Sequence, residues 1–411
     1  MHMKVFRITT EINRSSIGRT SEQIGELVIN EGWESYIAWG RSDGESTSYK
    51  IKIGDRWSVL FHGLISRLFD LHGHGSYFAT KELVRKMKKI KPDIVHLHAI
   101  HGYYINLKVL FKYLRESNVP VVWTHHDCWA FTGHCAFYSS IGCEKWKTGC
   151  NHCPNIRCYP SSLFVDNSKC QFAFKKELFT SINRLFNVGV SEWESRQLKM
   201  SFLKNTSIRT ICNGIDTDIF RPQQERSKEV RKKYNLGGGA ILLGVATAWG
   251  ERKGLSDYYK LRERLRDDYT IVLVGVSQSQ KEALPKGIIG ILRTDSIDEL
   301  SLLYSSASIV MNLANAESFG KTTPEGLACG TPSIVYNCTA SPDLVDDKTG
   351  IVVEKGNIDA LESAVYAIMS WSRDDTIHYC RERAITLYDA KKNWQMYIEL
   401  YKEIASMYTM E

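Results

Sequence analysis

Residues 308–337 read SIVMNLANAESFGKTTPEGLACGTPSIVYN, and this stretch decides the fold. A short apolar run, SIVMNLA, is followed by a polar loop, by PEGLACG and by a second apolar run, PSIVYN. Runs of this length predict buried strands, and Pro324 suits the first turn of a helix, where a missing N–H costs nothing. Thr322 and Thr323 are both suited to cap that helix. A strand, a helix and a second strand in this order predict a parallel sheet covered by helices.

The same alternation of strands and helices occurs in two series along the chain. The first series starts at MKVFRIT and ends with RLFNVGVSEWESRQL, and the second starts at AILLGVATAW. Between them lies NGIDTDIFRPQQERSKE, residues 213–229, whose many turn formers predict an interdomain hinge. We predict an α/β protein of two doubly wound, Rossmann-like domains that face each other across a cleft. The predicted domains are residues 1–205, joined by a C-terminal helix at about 390–411, and residues 206–389.

The composition is that of an ordinary globular protein. Of the 411 residues, 43% are hydrophobic and 24% are charged, which argues against both a disordered chain and a membrane bundle. The most apolar runs have the length of strands, far short of the roughly 20 residues that span a bilayer. The N-terminal residues do not have the pattern of a secretory signal. We therefore predict a cytoplasmic protein.

Positive charge is concentrated in the first half of the chain. Residues 1–190 contain 25 lysines and arginines against 16 aspartates and glutamates, which favours an anionic partner. The densest run is KELVRKMKKIKPD, residues 81–93, in which apolar side chains at helical spacing leave the basic ones on the other face. The simplest interpretation is a solvated helix. Peripheral contact with an anionic membrane, at the inner face, is the alternative hypothesis.

Two glutamates mark the candidate site. Glu317 falls in the loop at the carboxyl end of a predicted strand, and Glu325 falls in the first turn of the next helix. Carboxylate oxygens accept hydrogen bonds from the vicinal hydroxyls of a sugar or ribose, while backbone N–H groups of such a turn can bind a diphosphate. The chain has neither the G-x-G-x-x-G nor the P-loop pattern. Gly18, just ahead of the first predicted helix, permits close backbone approach to a phosphate.

Four motifs carry a resemblance to a known family. The E-x7-E pattern within ESFGKTTPEGLACGTPSIV, together with NGIDTDIFRP, ERKG and THHDCWAFTGHC followed by GCNHCP, resembles the retaining glycosyltransferases of family 4. Within that family the chain looks like the bacterial enzymes of capsule or colanic-acid type. The resemblance covers nearly the whole chain and implies the GT-B fold.

The resemblance implies roles for residues of the second domain. Lys253, in WGERKG, would bind the donor diphosphate and neutralise charge on the departing nucleotide. This chain has Ala248 where the family commonly has an arginine, so Arg252 is the candidate substitute. The family pattern also implies three further roles: ribose binding by Glu325, sugar binding near the reacting carbon by Glu317, and backbone contacts to the donor from Phe319 and Gly320.

In the first domain, the resemblance points to Gly18 and to a histidine. Gly18 matches the glycine that lets the first loop approach the donor phosphate, and His126 in WTHHDCW matches a histidine that faces the donor sugar. Asp127 is a candidate to orient His126. Three other histidines are rivals for its role: His96, His98 and His125.

The resemblance implies transfer of a sugar with retained anomeric configuration and without a catalytic metal. The donor would be a UDP- or GDP-sugar and the acceptor a saccharide or a lipid-linked saccharide in surface polysaccharide synthesis. Asp216 and Asp218, in DTD, are interpreted as turn formers rather than metal ligands. One alternative is a nucleotide-sugar epimerase of the same fold. Another is a nucleic-acid-binding protein that uses the basic, cysteine-rich first domain with its interleaved aromatic residues.

Six of the eleven cysteines fall within residues 128–158. In a reducing compartment such a cluster favours a metal site or free thiols over disulfides. CNHCP supplies a C-x2-C pair, Cys150 and Cys153, and Cys135 and Cys143 would complete four thiolates around a structural zinc. His134 or His152 is the candidate replacement for one ligand, and a set of reduced, metal-free cysteines is the alternative.

Overall fold

The computed structural model describes residues 2–408, so the last three residues of the predicted C-terminal helix lie outside the described part. The chain divides into two units: one runs up to Ile211 and includes the residues from Trp394 onward, and the other is Cys212–Asn393. This division falls a few residues after the sequence-based boundary between residues 205 and 206. None of the helices in the described part of the chain is both long enough and apolar enough to span a bilayer.

Within the described residues, the first unit contains a parallel sheet of seven strands in the order β3-β2-β1-β4-β5-β6-β7. Its strands are β1 Lys4–Glu11, β2 Glu34–Ser42, β3 Tyr49–Lys52, β4 Ile94–Leu97, β5 Val121–His125, β6 Leu185–Gly189 and β7 Ser207–Thr210. Its helices are α1 Ser16–Asn30, α2 Arg56–Phe69, α3 Tyr77–Ile90, α4 Leu107–Ser117, α5 Ser168–Thr180 and α6 Glu192–Met200.

The second unit contains, within the described residues, a parallel sheet of six strands in the order β10-β9-β8-β11-β12-β13. Its strands are β8 Ala240–Val245, β9 Tyr269–Val274, β10 Ile288–Ile291, β11 Ile309–Asn312, β12 Ser333–Tyr336 and β13 Gly350–Val353. The remaining helices are α7 Ser227–Lys233, α8 Leu255–Arg262, α9 Gln278–Glu282, α10 Ile297–Ser306, α11 Thr322–Ala328, α12 Ile358–Met369, α13 Arg373–Tyr388 and α14 Ala390–Tyr408. The predicted pair of doubly wound sheets is confirmed.

Both sheets form for the same reason. Their central strands are short apolar runs that are buried on both faces, such as AILLGV in β8, so helices must cover each side. Each sheet also reverses its strand order beside its first strand, between β1 and β4 and between β8 and β11. Loops that leave the carboxyl ends of such a pair diverge, and ligands of doubly wound sheets bind in the crevice that they leave.

The C-terminal part of α14 is fastened to the first unit by polar contacts within its core. The Tyr401 hydroxyl lies 2.6 Å from Nδ1 of His96 on β4, and Trp394 donates its indole N–H to Gln23 on α1 over 3.0 Å. Tyr401 and His96 are fully buried. The C-terminal residues are therefore part of the first unit, although they follow the second in sequence.

The predicted hinge region, residues 213–229, lies at the start of the second unit, directly after the boundary between the units. Its backbone packs within the second unit, where Ile215 exchanges hydrogen bonds with Tyr388 and Ala390. The Arg381 guanidinium donates to the carbonyl oxygens of Thr217 and Phe220 over 2.8 and 2.7 Å. The sequence signals turns but not these partners, which come from a helix far along the chain. Asp216 does act as a turn former, since its carboxylate accepts the N–H groups of Asp218 and Ile219.

Candidate active site

Two loops of the second unit meet where its strand order reverses. The loop after β8 is residues 246–254, and the loop after β11 is residues 313–321. Asn315 joins them, because its backbone N–H donates to the Arg252 carbonyl over 2.8 Å and its side-chain amide donates to the Glu251 carbonyl over 2.9 Å. These contacts fix the two loops against each other at the carboxyl edge of the sheet.

Gly254 is required where the loops touch. Its φ is +70°, and a β-carbon on it would lie 2.3 Å from the Leu313 carbonyl oxygen. A side chain would therefore separate the loops and strain the backbone.

Lys253 and Glu317 form an ion pair across this junction. The Lys253 ammonium donates a hydrogen bond to Oε1 of Glu317, and Nη1 of Arg252 lies 3.8 Å from the same oxygen. Arg252 also donates to the Ala316 carbonyl over 3.1 Å. The side chains of Lys253 and Glu317 are only 17% and 14% exposed, so each charge is largely withdrawn from water and held by its partner. Three of the residues predicted from sequence thus meet at one point.

A third loop, which sequence reasoning missed, positions Glu317. The backbone N–H of Glu317 donates to the Thr339 hydroxyl over 2.9 Å, and its carbonyl accepts from the Ala340 N–H over 3.3 Å. Both partners follow β12, the next strand of the sheet. Thr339 has a φ of +51°, a conformation that no pattern of residue types in this segment signals. The carboxylate of Glu317 is therefore carried by a backbone anchored on two sides.

Phe319 and Gly320 lie in the same loop, and only their backbone is suited to contact a ligand. The Phe319 ring is buried against Tyr388, with 5.7 Å between ring centroids. Gly320 has a φ of +88°, and a β-carbon there would lie 3.0 Å from the Asn312 side-chain amide. The predicted backbone role of these residues is therefore consistent with the way the loop is folded.

Glu325 lies in the first turn of α11, as the sequence predicts. The hydroxyl of Tyr304, a fully buried side chain on α10, donates to its Oε2 over 2.8 Å. Burial raises the pKa of Tyr304, and the neighbouring Glu325 charge raises it further, so the phenol stays protonated as the donor. This contact fixes the orientation of the Glu325 carboxylate.

The predicted threonine caps of α11 are wrong. The helix begins at Thr322, its N-cap is Lys321, and that cap makes no side-chain hydrogen bond. The Thr323 hydroxyl instead accepts a hydrogen bond from the Asn312 amide over 3.3 Å. Both threonines are therefore inside the helix, and one of them fastens it to the end of β11.

Gly18 lies inside α1 and not ahead of it. The helix begins at Ser16 because the Ser15 hydroxyl accepts the Gly18 N–H over 3.2 Å. A β-carbon on Gly18 would lie 2.9 Å from the Glu11 carbonyl oxygen at the end of β1. The glycine thus allows the first turn of α1 to pack on the strand end, a packing role that sequence reasoning did not assign to it.

Among the candidate histidines, His126 is the one that is partly exposed. His125 is buried and bonded to Asn187 over 2.7 Å, and His96 is buried between Thr124 and Tyr401. Burial lowers the pKa of His125 to about 4 and that of His96 well below its usual range, so both are neutral at pH 7. His126 follows the end of β5 and contacts a ring nitrogen of the buried His98 over 3.1 Å.

Asp127 has a partner that the sequence did not suggest. Its Oδ2 lies 2.9 Å from Nε2 of His101, and its Oδ1 accepts the Trp129 N–H over 2.9 Å. Burial alone would raise the pKa of Asp127, but the charge and hydrogen bond of His101, the Trp129 N–H and the charge of His126 together hold that pKa below the usual value. A carboxylate and two histidines, His101 and His126, therefore follow neighbouring strands of the first sheet.

The aromatic residues of the cysteine-rich segment are unsuited to stack on nucleotide bases. Trp129, Phe131, Tyr138 and Trp146 are all at most 5% exposed, Phe137 is partly buried, and all five pack on one another or on the core. The nucleic-acid hypothesis needed these rings at the surface. Their burial removes its main support.

Cys135, Cys143, Cys150 and Cys153 line one small cavity together with His134. A larger cavity of about 380 Å³ lies beside the starts of β11 and β12, at the opposite edge of the second sheet from Glu317. It is lined by Arg231 and Arg373 and is not part of the candidate active site.

Comparison with known proteins agrees with the resemblance. Residues 240–370 match the family model described as "Glycosyl transferases group 1". Over 228 residues the chain is 29% identical to a protein named as a colanic acid biosynthesis glycosyl transferase, WcaC of Escherichia coli, with 52% of this chain and 55% of that protein covered. A GDP-mannose-dependent phosphatidylinositol monomannoside mannosyltransferase of Mycolicibacterium smegmatis is 24% identical, with 43% and 50% covered. The chain spans about half the length of these curated relatives.

Solved structures agree on the fold. Sucrose-phosphate synthase of Thermosynechococcus elongatus has a TM-score of 0.70 at 16% identity, with 98% of this chain and 100% of that chain covered. HepE of Anabaena, solved in complex with UDP and glucose, has a TM-score of 0.68 at 12% identity, with the same coverage. The predicted GT-B fold is confirmed, and so is the predicted resemblance to glycosyltransferases.

Proposed function

We propose that the protein is a retaining glycosyltransferase that moves a sugar from a nucleotide-sugar donor to a saccharide or lipid-linked saccharide in surface polysaccharide synthesis. The observation that carries the proposal is the Lys253–Glu317 pair at the point where the second sheet reverses its strand order. It lies within the segment that matches group 1 glycosyl transferases. An ammonium and a carboxylate at one point suit a diphosphate attached to a sugar.

In this proposal, the donor exchanges partners with the ion pair. The diphosphate takes the Lys253 ammonium, and the Glu317 carboxylate is released to accept hydrogen bonds from the sugar hydroxyls. Lys253 and Arg252 then stabilise the negative charge that grows on the diphosphate as the bond to the sugar breaks. Glu325, oriented by Tyr304, accepts from the ribose hydroxyls.

The first unit supplies the acceptor side in this proposal. His126 and Asp127 follow β5, at the carboxyl edge of the first sheet. We propose that His126 lies near the donor sugar during the reaction. The acceptor hydroxyl attacks the face that the diphosphate leaves and gives its proton to the departing phosphate, so the anomeric configuration is retained. This route requires neither a protein base nor a catalytic metal.

A thermal-shift panel of UDP, GDP, ADP and their sugar conjugates tests the proposal. We expect one base to stabilise the protein strongly, since a ligand present at 100 times its dissociation constant contributes about 2.7 kcal/mol to the free energy of unfolding. We expect UDP or GDP to be the nucleotide that binds, because a relative is named for GDP-mannose and a structural neighbour was solved with UDP. The matching monophosphate should stabilise less, because it offers Lys253 less charge.

The panel and one further assay separate the alternatives. If no nucleoside diphosphate changes the melting temperature, the donor assignment is wrong. If the protein binds a nucleotide sugar and converts it completely without any acceptor, an epimerase is favoured over a transferase. Retention is read from the anomeric proton of the product by NMR, and an inverted product would refute the proposed attack on the same face.

We also propose peripheral contact with an anionic membrane, which suits a lipid-linked acceptor at the inner face. The predicted basic helix is α3, whose side chains Lys81, Arg85 and Lys88 line one groove with Lys108 and Lys112 of α4. Helix α2, whose Ser58 and His62 contact Ser76 at the start of α3, exposes apolar side chains at positions i, i+3, i+4 and i+7. They are Trp57, Leu60, Phe61 and Leu64. Exposed apolar helix faces and basic side chains are typical of surfaces that bind a membrane interface.

Vesicle co-sedimentation tests this contact. We expect the protein to bind phosphatidylglycerol vesicles and to bind phosphatidylcholine vesicles much less, with affinity falling as salt rises. The double variant Trp57→Ser, Phe61→Ser should bind anionic vesicles at least tenfold more weakly, because each buried aromatic side chain contributes about 1.5–3 kcal/mol. Both side chains are more than 60% exposed, so the fold should tolerate the changes.

Leu292→Ser is the matched control, since Leu292 is an exposed apolar residue of the second unit. Equal vesicle binding by the double variant and the control would exclude α2 as the contact.

A further inference from the structure

The cysteine-rich segment folds with little regular structure. Across residues 132–167, all of which are described, the regular elements are two short 3-10 turns at Tyr138–Ile141 and Lys145–Lys147. Ordered segments of this length without helices or strands are uncommon. Buried aromatic rings anchor part of the segment to the core of the first unit, with Trp146 packed against Phe131 and Tyr138.

Four thiols from separate parts of the segment converge in one place. They line one small cavity: Cys135, Cys143, Cys150 and Cys153. The two remaining cysteines of the segment do not line the cavity, since Cys158 is exposed and Cys128 bonds to Glu194. The cavity therefore collects four of the six.

A backbone donor points at one of the four cavity sulfur atoms. The Gly133 N–H donates to Sγ of Cys150 over 3.1 Å, and a β-carbon on Gly133 would lie only 2.5 Å from that of Cys150. A backbone N–H that donates to sulfur is the kind of outer contact that supports a metal-bound thiolate.

The C-x2-C pair is itself fixed in place. The Lys145 ammonium donates to the carbonyls of Asn151 and His152, which lie between the two cysteines, over 3.0 and 2.9 Å. The Cys153 N–H donates to the Asp166 carboxylate over 2.6 Å. These bonds shape the turn that two adjacent ligands of one ion require.

A neighbouring group of possible ligands is already occupied by hydrogen bonds. Among residues 2–408, Asp70, His72 and His134 are the group whose ligand atoms lie within 4.8 Å of one another. His134 Nδ1 bonds to Asp70 over 2.6 Å, the other Asp70 oxygen accepts the Asn167 N–H, and His72 bonds to the Pro160 carbonyl. The four cavity sulfur atoms do not meet this 4.8 Å distance. They therefore have to move closer together to bind one ion.

We propose that the four cavity thiolates bind one structural zinc ion. Four thiolates satisfy the tetrahedral preference of zinc and leave no open position, so the ion stabilises the segment and takes no part in the transfer reaction. Binding releases the thiol protons and closes the cavity around the ion. His134, held by Asp70, remains beside the site as a neighbour and not as a ligand.

Metal content of the full chain tests this proposal. Protein purified under reducing conditions and dialysed against zinc, then against buffer, should retain about one zinc per chain by mass spectrometry. Cys150→Ser and Cys153→Ser should each lower the content to near zero. Cys158→Ser and Cys170→Ser are the matched controls and should leave it unchanged, because both cysteines are exposed and neither lines the cavity.

A second measurement needs no variant, because loss of a structural ion can unfold the segment. Cobalt added to the metal-free chain should give the absorption bands of a tetrahedral tetrathiolate site, and zinc should abolish them. Absence of zinc from the unaltered protein, retention of zinc in both Cys150→Ser and Cys153→Ser, or a disulfide among the four cysteines in peptide maps would each overturn the proposal.

Discussion

Replacing Glu317 by alanine is expected to lower the rate of sugar transfer by about 100- to 1000-fold, the usual cost of removing one group that stabilises a transition state. The same change should leave the affinity for the nucleoside diphosphate unaltered or increase it. In the wild type, the Lys253 ammonium is hydrogen-bonded to the Glu317 carboxylate. Without the carboxylate, Lys253 is available to an anionic ligand from the start. Single-turnover rates and calorimetric titration with the nucleotide measure the two quantities separately.

A loss of transfer rate without a loss of nucleotide affinity is the result expected of a residue that contacts the sugar and not the nucleotide. Glu263→Ala is the matched control, since Glu263 is an exposed acid of the same unit, and it should change neither quantity. Glu317→Gln keeps the size of the side chain and can still accept hydrogen bonds, so its rate should lie between those of the wild type and the alanine variant. Parallel loss of rate and nucleotide affinity in Glu317→Ala would show that Glu317 binds the nucleotide and not the sugar.

Lys253→Ala is expected to weaken binding of the nucleoside diphosphate by about 10- to 100-fold, since a hydrogen bond to a charged group contributes about 1.5–3 kcal/mol. Transfer should fall further than binding, because the charge that Lys253 neutralises grows as the diphosphate departs. Arg252 lies close enough to Glu317 to retain part of the local positive charge, so binding should be weakened and not abolished. Titration calorimetry and initial rates measure both effects.

Comparing the affinities for a nucleoside diphosphate and the matching monophosphate identifies the phosphate that Lys253 contacts. The wild type should prefer the nucleoside diphosphate over the monophosphate, and Lys253→Ala should lose most of that preference. Lys286→Ala, a change of an exposed lysine in the same unit, should keep it. A preference that survives Lys253→Ala undiminished would assign the diphosphate to other groups.

The ion pair also affects the stability of the double variant that carries both Glu317→Ala and Lys253→Ala. Each single change leaves a partly buried charge without its main partner, whereas the double change removes both charges. The effects of the single changes on the free energy of unfolding should therefore not add, and the double variant should be more stable than their sum implies. Denaturant unfolding of the two single variants and the double variant measures the difference.

The sequence by itself determined the architecture and the position of the candidate site. Apolar runs of strand length that alternate with helices can be buried only in sheets covered on both sides, and this pattern is local and repeated. Glu317 directly follows one such run, so its place at the carboxyl edge of the sheet follows from chain order. The motifs around it were enough to indicate a resemblance to glycosyltransferases, and residues 240–370 match the family model described as "Glycosyl transferases group 1".

Only the tertiary structure decided which groups meet. Lys253 and Glu317 are 64 residues apart and touch because β8 and β11 are neighbours in the sheet. The same holds for Thr339, which anchors Glu317 from the next strand, and for Asp127, which pairs with His101. Gly18 and the α11 caps differed from expectation because backbone packing and side-chain hydrogen bonds set the helix starts. Chain order places each loop at the correct edge of its sheet, but the loops that meet are selected by long-range strand pairing, which no local pattern of residues encodes.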